Sequence, residues 1–388
     1  MSKPRVLFPF TEAGLGHIIP MKSIADEFER LFGDKTEVVR SNFFTEAGNK
    51  NLEIFERRLA RTVEKQNHST IYGFFVTLNM EFWRKNISTW ATMKFLKHGA
   101  NKPGFEYMDK LAPDLVVSTH WATNYYAKKC NCKPLTVMYC PDAEINPLFS
   151  YPADIVMVST DTGHSHARRK HKRRFNDKNL IQVPFLIRDA AFKVSTDKCE
   201  LRKKLGLDED KFTVVLAEGG YGIGKMESIC KIILERDLPV NLVPVCGKNQ
   251  ALYKKLQNVK AKSKTNFKPM GLVHNMLEVV ASADVFCGKS GANTCAEACF
   301  FGLPMIITKY ATTIERDIGK YYLNVVGNAI KIFNPEKVAD KIEEFMQNPA
   351  LMEPYKRAAE AQKSNYGATE CARHIYGLLC TKFPELND

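Results

Sequence analysis

The sequence predicts an α/β protein made of two Rossmann-like domains that face each other across a cleft. Short apolar runs of strand length alternate with helical segments, which is the pattern of parallel sheets covered by helices. The alternation begins at Arg5 and begins again after residue 210. With 388 residues, 45% of them hydrophobic, the chain is long enough to bury two cores. We assign 1–186 to the first domain and 187–388 to the second, and expect a last helix at 366–382 to pack back on the first.

The first domain contains six apolar runs that predict strands, at 5–10, 36–40, 114–118, 135–139, 155–158 and 180–183. A tight turn is predicted at 11–17. A helix is predicted from Pro20 to Leu31, because Ile24, Phe28 and Leu31 recur at helical spacing.

Between residues 45 and 105 basic and aromatic side chains are mixed, and they include Phe82, Trp83, Arg84, Lys85 and Trp90. This composition suits amphipathic helices that lie on an anionic membrane, or helices that pack on the sheet. No run of about 18 apolar residues occurs, so no membrane-spanning helix is predicted. The N-terminus leads directly into the first strand, so no signal peptide is expected.

The second domain has a connector with a short helix near 199–207, followed by predicted strands at 213–217, 241–246, 267–271, 283–287 and 305–308. The acidic run Asp208–Asp210 precedes a strand rather than following one. We therefore interpret it as a solvated turn and not as a metal motif.

The net charge of +13 favours anionic partners. Part of it lies in the basic run 168–174, which is either a solvated loop or a contact for such a partner. No aromatic residue interleaves this run and no nucleic-acid-binding motif is present, so nucleic acid is not expected as a partner. The eleven cysteines, including Cys130 and Cys132, lack the paired spacing of zinc ribbons, and we interpret them as small buried hydrophobic residues in a reducing compartment.

Two turns of small residues follow strands of the second domain. The first spans 218–224, and the second spans 288–294 and leads into a helix. Backbone N–H groups and the positive end of a helix dipole make such turns suitable for phosphate, although ordinary βα units also contain glycines. Two of them in one domain favour a diphosphate. Glu297, on the helix, either binds a ribose diol or offsets the helix dipole.

His17 and Asp142 both follow predicted strands of the first domain, at the edge where open α/β sheets bind ligands. A neutral imidazole can accept a proton from a hydroxyl group near pH 7. His17 is therefore a candidate for catalysis or acceptor binding, or it is structural. Asp142 is a candidate for the base itself or for the group that orients His17.

These motifs resemble those of a known family. It is the family of GT-B-fold glycosyltransferases that contains the bacterial and plant diacylglycerol glycosyltransferases and the peptidoglycan UDP-N-acetylglucosamine transferase. The resemblance extends nearly from end to end, and is carried by Gly14-Leu15-Gly16-His17, the segment 113–120, Pro141-Asp142 with Asn146 and Phe149, the segment 201–224, the loop 270–276 and the segment 288–304. Asn146 and Phe149 replace the family's usual His and Trp. In the family, the segment that contacts the sugar is rich in Gln and Glu, and residues 312–317 stand in its place here.

The resemblance implies an inverting enzyme that transfers a hexose from a UDP-sugar to a membrane lipid, most simply diacylglycerol, with no cofactor and no essential metal. It implies an anionic membrane surface as a partner, and a location on the cytoplasmic side, peripheral to the inner face of the membrane. His17 and Asp142 would be catalytic. The acceptor-binding residues would be Gly14, Gly16, His120, Asn146 and Phe149. The donor-binding residues would be Gly219, Gly220, Gly222, Gly271, Val273, Ser290, Gly291, Ala292, Asn293, Thr294, Glu297, Glu315, Arg316 and Asp317.

Three other functions are compatible with the same features. Two are enzymatic, namely transfer to a small soluble aglycone and epimerisation of a UDP-sugar. The third is a basic protein that binds membranes or nucleic acid and has a degenerate nucleotide site. Turnover without an acceptor would indicate the epimerase, and salt-dependent binding without UDP affinity would indicate the binding protein.

Overall fold

A computed structural model describes residues 3–11, 15–68, 100–145, 149, 153–219 and 224–387. The chain forms two compact units. The first contains the described residues up to Arg188, apart from Asn67 and His68, and the segment from Tyr366. The second contains Asn67, His68 and Asp189–Asn365. Several predicted site residues lie outside the described residues, namely Gly14, Phe82, Trp83, Arg84, Lys85, Trp90, Asn146, Gly220 and Gly222.

The strands are β1 (Arg5–Phe10), β2 (Glu37–Asn42), β3 (Leu115–Ser118), β4 (Leu135–Cys140), β5 (Ile155–Val158), β6 (Leu180–Gln182), β7 (Phe212–Ala217), β8 (Val240–Val245), β9 (Asn266–Phe267), β10 (Val285–Lys289), β11 (Met305–Lys309) and β12 (Ala329–Lys331). The α-helices are α1 (Leu15–Phe32), α2 (Phe43–Glu46), α3 (Lys50–His68), α4 (Asn101–Leu111), α5 (Trp121–Lys129), α6 (Asp161–Lys170), α7 (Lys198–Lys204), α8 (Met226–Glu235), α9 (Gln250–Gln257), α10 (Met276–Ala281), α11 (Ala292–Phe300), α12 (Thr313–Tyr321), α13 (Pro335–Gln347), α14 (Glu353–Glu360) and α15 (Thr369–Lys382).

The first unit has a parallel six-stranded sheet in the order β2-β1-β3-β4-β5-β6. Side chains alternate between its two faces, as the pleat of a strand requires. Val6 and Phe8 face the core that α1 and α15 cover, where Phe28 and Ile375 are fully buried. Leu7 faces the opposite core. Burial on both faces explains why the strands read as nearly continuous apolar runs.

The second unit repeats this architecture with a parallel sheet in the order β12-β11-β10-β7-β8-β9. Val214 and Leu216 of β7 face a core built with Ile229 and Ile233 of α8. The predicted α/β class with two Rossmann-like domains is therefore confirmed. No helix in the described part of the chain is long and apolar enough to cross a bilayer.

Several local features differ from the prediction. Helix α1 begins at Leu15, so His17 lies in its first turn and Pro20 lies inside the helix. Strand β10 continues through Gly288 to Lys289, whereas the strand was predicted to end at residue 287. A Cβ atom on Gly288 would lie 2.1 Å from the carbonyl oxygen of Ala217, so only glycine lets β7 and β10 pair this closely. Strand β12 was not predicted.

Candidate functional site

The first unit places its candidate residues at the point where the strand order reverses. The chain passes from β1 to β2 on one side and then to β3 on the other, so the segments after β1 and β3 diverge. Open α/β sheets bind ligands at such switch points. His17 follows β1, and Thr119 and His120 follow β3.

His17 is held in one tautomer. Its Nδ1 lies 2.7 Å from the carbonyl oxygen of Thr119. A carbonyl oxygen only accepts, so Nδ1 carries the hydrogen and, in the neutral ring, Nε2 is the acceptor. The His17 side chain is half-buried. Burial lowers the pKa of His17 from its ordinary value, and the bond to Thr119 partly opposes this shift. These properties suit a general base at neutral pH.

His120 has the opposite tautomer. It is the N-cap of α5, and its Nδ1 accepts the backbone N–H of Ala122 at 3.3 Å. The neutral ring therefore carries its hydrogen on Nε2. Burial, with a smaller contribution from His17, lowers the pKa of His120 well below its ordinary value. The rings of His17 and His120 meet edge to face with centroids 4.9 Å apart. The two neutral rings together offer one hydrogen-bond acceptor, Nε2 of His17, and one donor, Nε2 of His120.

Three other predicted residues of this unit lie near the same edge of the sheet. The buried ring of Phe149 stacks on His17 with centroids 6.0 Å apart. Gly16 is exposed in the first turn of α1, and a Cβ atom there would meet nothing within 4 Å. Asp142 lies two residues after β4 and is half-buried. Burial raises the pKa of the Cys140 thiol, and the nearby charge of Asp142 adds to this shift. The structure thus brings His17, His120 and Phe149 into contact.

The second unit has its switch point between β7 and β10, which are neighbours in its sheet. Gly219 follows β7 with φ +78°, a conformation that favours glycine. A Cβ atom there would lie 2.3 Å from Cε and 3.0 Å from Nζ of Lys289. The lysine side chain therefore lies directly over the first glycine turn, and joins it to the second turn.

Helix α11 begins at the second turn without a side-chain cap. Its N-cap is Gly291, and no acidic residue lies in its first turn. The first N–H groups of a helix have no partner within the helix, so this end is suited to an anion. Ser290 is buried, and its Oγ donates to the carbonyl oxygen of Glu315 at 2.7 Å, which fixes the turn against α12. The predicted donor-binding residues Ala292, Asn293 and Thr294 follow Gly291 in the first turn, and Glu297 is buried further along the helix.

Lys289 is a candidate that the sequence reasoning missed. Its Nζ lies 2.6 Å from Oε1 of Glu315, and both side chains are largely buried. The second oxygen of Glu315 accepts the backbone N–H of Ala311 at 2.8 Å. The carboxylate thus holds the ammonium over the first glycine turn, close to Gly219. The sequence shows a lysine within the small-residue turn itself. It does not show that this lysine pairs with a glutamate 26 residues further along the chain.

Glu218 shapes the first turn rather than offering a charge to a ligand. Its buried carboxylate accepts the backbone N–H groups of Lys225 and Met226, each at 3.0 Å, and the hydroxyl of Thr308 at 2.9 Å. A Cβ atom on Gly224 would lie 2.1 Å from this carboxylate. Hydrogen bonds from three donors to the Glu218 carboxylate fix the start of α8, which is also the end of the glycine turn.

The remaining predicted donor-binding residues also follow the carboxyl ends of strands. Gly271 and Val273 come after Met270, whose carbonyl oxygen accepts the N–H of Cys246 at 2.8 Å. The segment with Glu315, Arg316 and Asp317 begins α12, where the Oγ1 of Thr312 accepts the N–H of Glu315 at 3.1 Å and Arg316 pairs with Asp317 at 3.5 Å.

Comparison with known sequences gives a domain match and several relatives. Residues 225–371 match the family model described as the glycosyltransferase family 28 C-terminal domain. The chain is 24% identical over 377 residues to the probable monogalactosyldiacylglycerol synthase (chloroplastic) of Nicotiana tabacum, covering 88% of this chain and 64% of that protein. It is 28% identical over 167 residues to the processive diacylglycerol beta-glucosyltransferase of Bacillus pumilus, covering 43% of each. The chain spans 58 to 66% of the length of three plant relatives.

Solved structures share the fold at low sequence identity. Acinetobacter baumannii MurG has a TM-score of 0.57 at 13% identity, with 97% of this chain and 100% of that chain covered. Anabaena Alr3699/HepE, solved in complex with UDP-glucose, has a TM-score of 0.57 at 12% identity, with 97% of this chain and 99% of that chain covered. Both sheets and their covering helices therefore follow a known two-domain architecture.

Proposed function

We infer that this chain, a glycosyltransferase with the GT-B fold and a family 28 C-terminal domain, transfers a hexose from a UDP-sugar to diacylglycerol. The family resemblance found in the sequence is confirmed by the domain match over residues 225–371 and by its diacylglycerol-glycosylating relatives. The donor and the acceptor are our proposals. The names of the relatives support diacylglycerol as the acceptor, and the UDP-glucose complex of a protein with the same fold supports the donor.

The observation that carries the proposal is the pairing of an uncapped helix N-terminus with Lys289 at one switch point. Backbone N–H groups, the helix dipole and an ammonium group give the second unit three sources of positive charge for a diphosphate. In transfer, the bond between the anomeric carbon and the UDP oxygen breaks, and charge develops on the diphosphate. The same groups would stabilise this leaving group, which is why we propose transfer without an essential metal.

The first unit would supply the base. An acceptor hydroxyl forms the new bond to the anomeric carbon as the old bond breaks, which inverts the configuration, and its proton passes to Nε2 of His17. The bond from Nδ1 to Thr119 keeps Nε2 in the accepting state before the reaction. It also orients the imidazolium that forms afterwards. His120, with its hydrogen on Nε2, would donate a hydrogen bond to the acceptor.

A lipid acceptor requires contact with a membrane surface. The net charge of +13 favours an anionic surface, and we propose peripheral association at the cytoplasmic face through the basic and aromatic segment that contains Phe82, Trp83 and Arg84. This segment lies outside the described residues.

A UDP-release assay tests the proposal. UDP-glucose, UDP-galactose and UDP-N-acetylglucosamine are each supplied with and without diacylglycerol in anionic micelles. We expect release that requires one sugar nucleotide together with the lipid. Release without lipid would instead indicate hydrolysis, and conversion of one sugar nucleotide into another without net UDP release would indicate epimerisation. Release that requires only a soluble alcohol would indicate a soluble aglycone. No release and no UDP binding would overturn the proposal.

A further inference from the structure

Two thiols and a carboxylate converge at the C-terminal ends of two helices of the first unit. Cys130 and Cys132 follow α5, and their sulfur atoms are 3.3 Å apart. Asp109 lies near the end of α4, and one of its carboxylate oxygens lies within 4.8 Å of both sulfur atoms. Among the described residues, this is the single group of three such side chains that could hold a metal ion.

The carboxylate is fixed in position by the same loop that carries the thiols. The backbone N–H of Cys132 donates to Oδ1 of Asp109 at 2.8 Å, and the side-chain amide of Asn131 donates to Oδ2 at 2.9 Å. A carboxylate has about four lone-pair sites. The Cys132 thiol also interacts with Asp109, and a cation bound between them would take the place of the thiol proton. Carboxylates that bind metal ions are usually held in position by hydrogen bonds of this kind.

We propose that Asp109, Cys130 and Cys132 form a binding site for a thiophilic divalent cation of the zinc class. Zinc–sulfur bonds of about 2.3 Å in a tetrahedral arrangement place two sulfur atoms about 3.8 Å apart. The thiols reach this spacing if they separate by roughly half an ångström. Both thiols release their protons and bind as thiolates, and the Cys130 thiol gives up its present hydrogen bond to the carbonyl oxygen of Ala127. Water takes the fourth position.

The cation would serve the fold and not the transfer reaction. Helix α5 has nine residues, with His120 as its N-cap and Cys130 immediately after its last residue. A helix of this length separates its two ends by about 13 Å. A cation at Cys130 therefore joins the C-terminal ends of α4 and α5 and anchors the helix that carries His120 at its other end.

Cadmium is the probe for the test, since its thiolate complexes absorb in the ultraviolet. The full-length chain is reduced, freed of metal with a chelator and titrated with Cd²⁺. We expect one Cd²⁺ per chain with thiolate-to-cadmium absorption, and a higher melting temperature when Zn²⁺ is added. Cys132→Ser should abolish the absorption, and Asp109→Asn should weaken binding by about 10-fold or more. Cys199→Ser, which alters an exposed cysteine, is the control and should bind as the parent does.

Three results would overturn the site. One is the absence of cadmium absorption in the folded parent chain. Another is unchanged binding in both Cys132→Ser and Asp109→Asn. The third is a loss of binding in Cys199→Ser, which would place the thiolate elsewhere. Asp109→Asn keeps both thiols and the size of the side chain, so it remains informative if Cys132→Ser does not fold.

Discussion

His17 and Thr119 bind each other through two hydrogen bonds that run in opposite directions. Nδ1 of His17 donates to the carbonyl oxygen of Thr119 at 2.7 Å, and the hydroxyl of Thr119 donates to the carbonyl oxygen of His17 at 2.8 Å. The first bond sets the tautomer of the imidazole, and the second ties the start of α1 to the segment after β3. His17 and Thr119 are 102 positions apart in the chain, so these bonds join two distant segments.

Replacing the imidazole tests its role as the base. His17→Ala should reduce transfer by about 100-fold or more, because general-base catalysis contributes a factor of this size. UDP affinity should stay unchanged, since the predicted diphosphate contacts belong to the second unit. UDP release measures the first quantity and titration calorimetry measures the second. Transfer at the parent rate would remove His17 from the mechanism.

The ammonium group of Lys289 should contribute to donor affinity. Lys289→Ala removes a charge-assisted contact, and contacts of that kind correspond to about a 10- to 100-fold change in affinity. Lys320→Ala is a matched control on the exposed end of α12. Calorimetric titration with UDP should show weaker binding for the first variant alone. Equal affinities would mean that Lys289 only pairs with Glu315.

Two glycines of the second turn should respond differently to alanine. Gly291 has φ −71° and a Cβ atom there would meet nothing within 4 Å, so Gly291→Ala should leave the melting temperature unchanged. It should nevertheless weaken UDP binding, because the new methyl group occupies the space through which a phosphate approaches the backbone. At Gly288 the new atom would meet the carbonyl oxygen of Ala217, and Gly288→Ala should destabilise the unit by about 1–3 kcal/mol. Thermal unfolding and UDP titration of both variants separate the two effects. Unchanged UDP affinity in Gly291→Ala would contradict the phosphate contact.

The buried imidazoles should make stability depend on pH. The pKa values of His17 and His120 are both lowered in the folded chain, chiefly by burial. As the pH falls through about 6.5, the unfolded chain binds protons at these rings and the folded chain does not. Stability should therefore be highest above that pH and decrease below it.

His120→Asn removes one of these groups while keeping a side chain that can cap α5. The fall in unfolding free energy between about pH 7.5 and pH 5.5 should be smaller for this variant than for the parent chain. Urea unfolding at both pH values measures the difference. Replacement of the exposed His374 by Asn is the control, and an equal effect from that variant would contradict the assignment.

The strands could be predicted from the sequence because most are buried on both faces. Runs such as Arg5–Phe10 and Ile155–Val158 were located to the residue. The start of α1 was predicted late, since Pro20 is typical of a first helical position, and the structure adds five residues before it. Strand β12 has three residues, Ala329–Lys331, which is too short for a periodic signal.

The candidate site was predicted in part. The small-residue turns and His17 were visible because they follow strands at the edge where parallel sheets bind ligands. The paired tautomers of His17 and His120 depend on hydrogen bonds to backbone groups, which no side-chain pattern reveals. The pairing of Lys289 with Glu315, and its approach to Gly219, depend on the order of strands in the sheet.

Helix α15 follows the whole of the second unit in the chain but belongs to the core of the first. Ile375 and Leu379 are fully buried there, together with Ile24 and Phe28 of α1. During synthesis on the ribosome, the second unit can fold as soon as its contiguous segment has emerged. The first unit must wait with an unfinished core until α15 is released. Its apolar face is exposed in that interval, which is the condition under which unfinished domains are prone to aggregate, although its residues are made first.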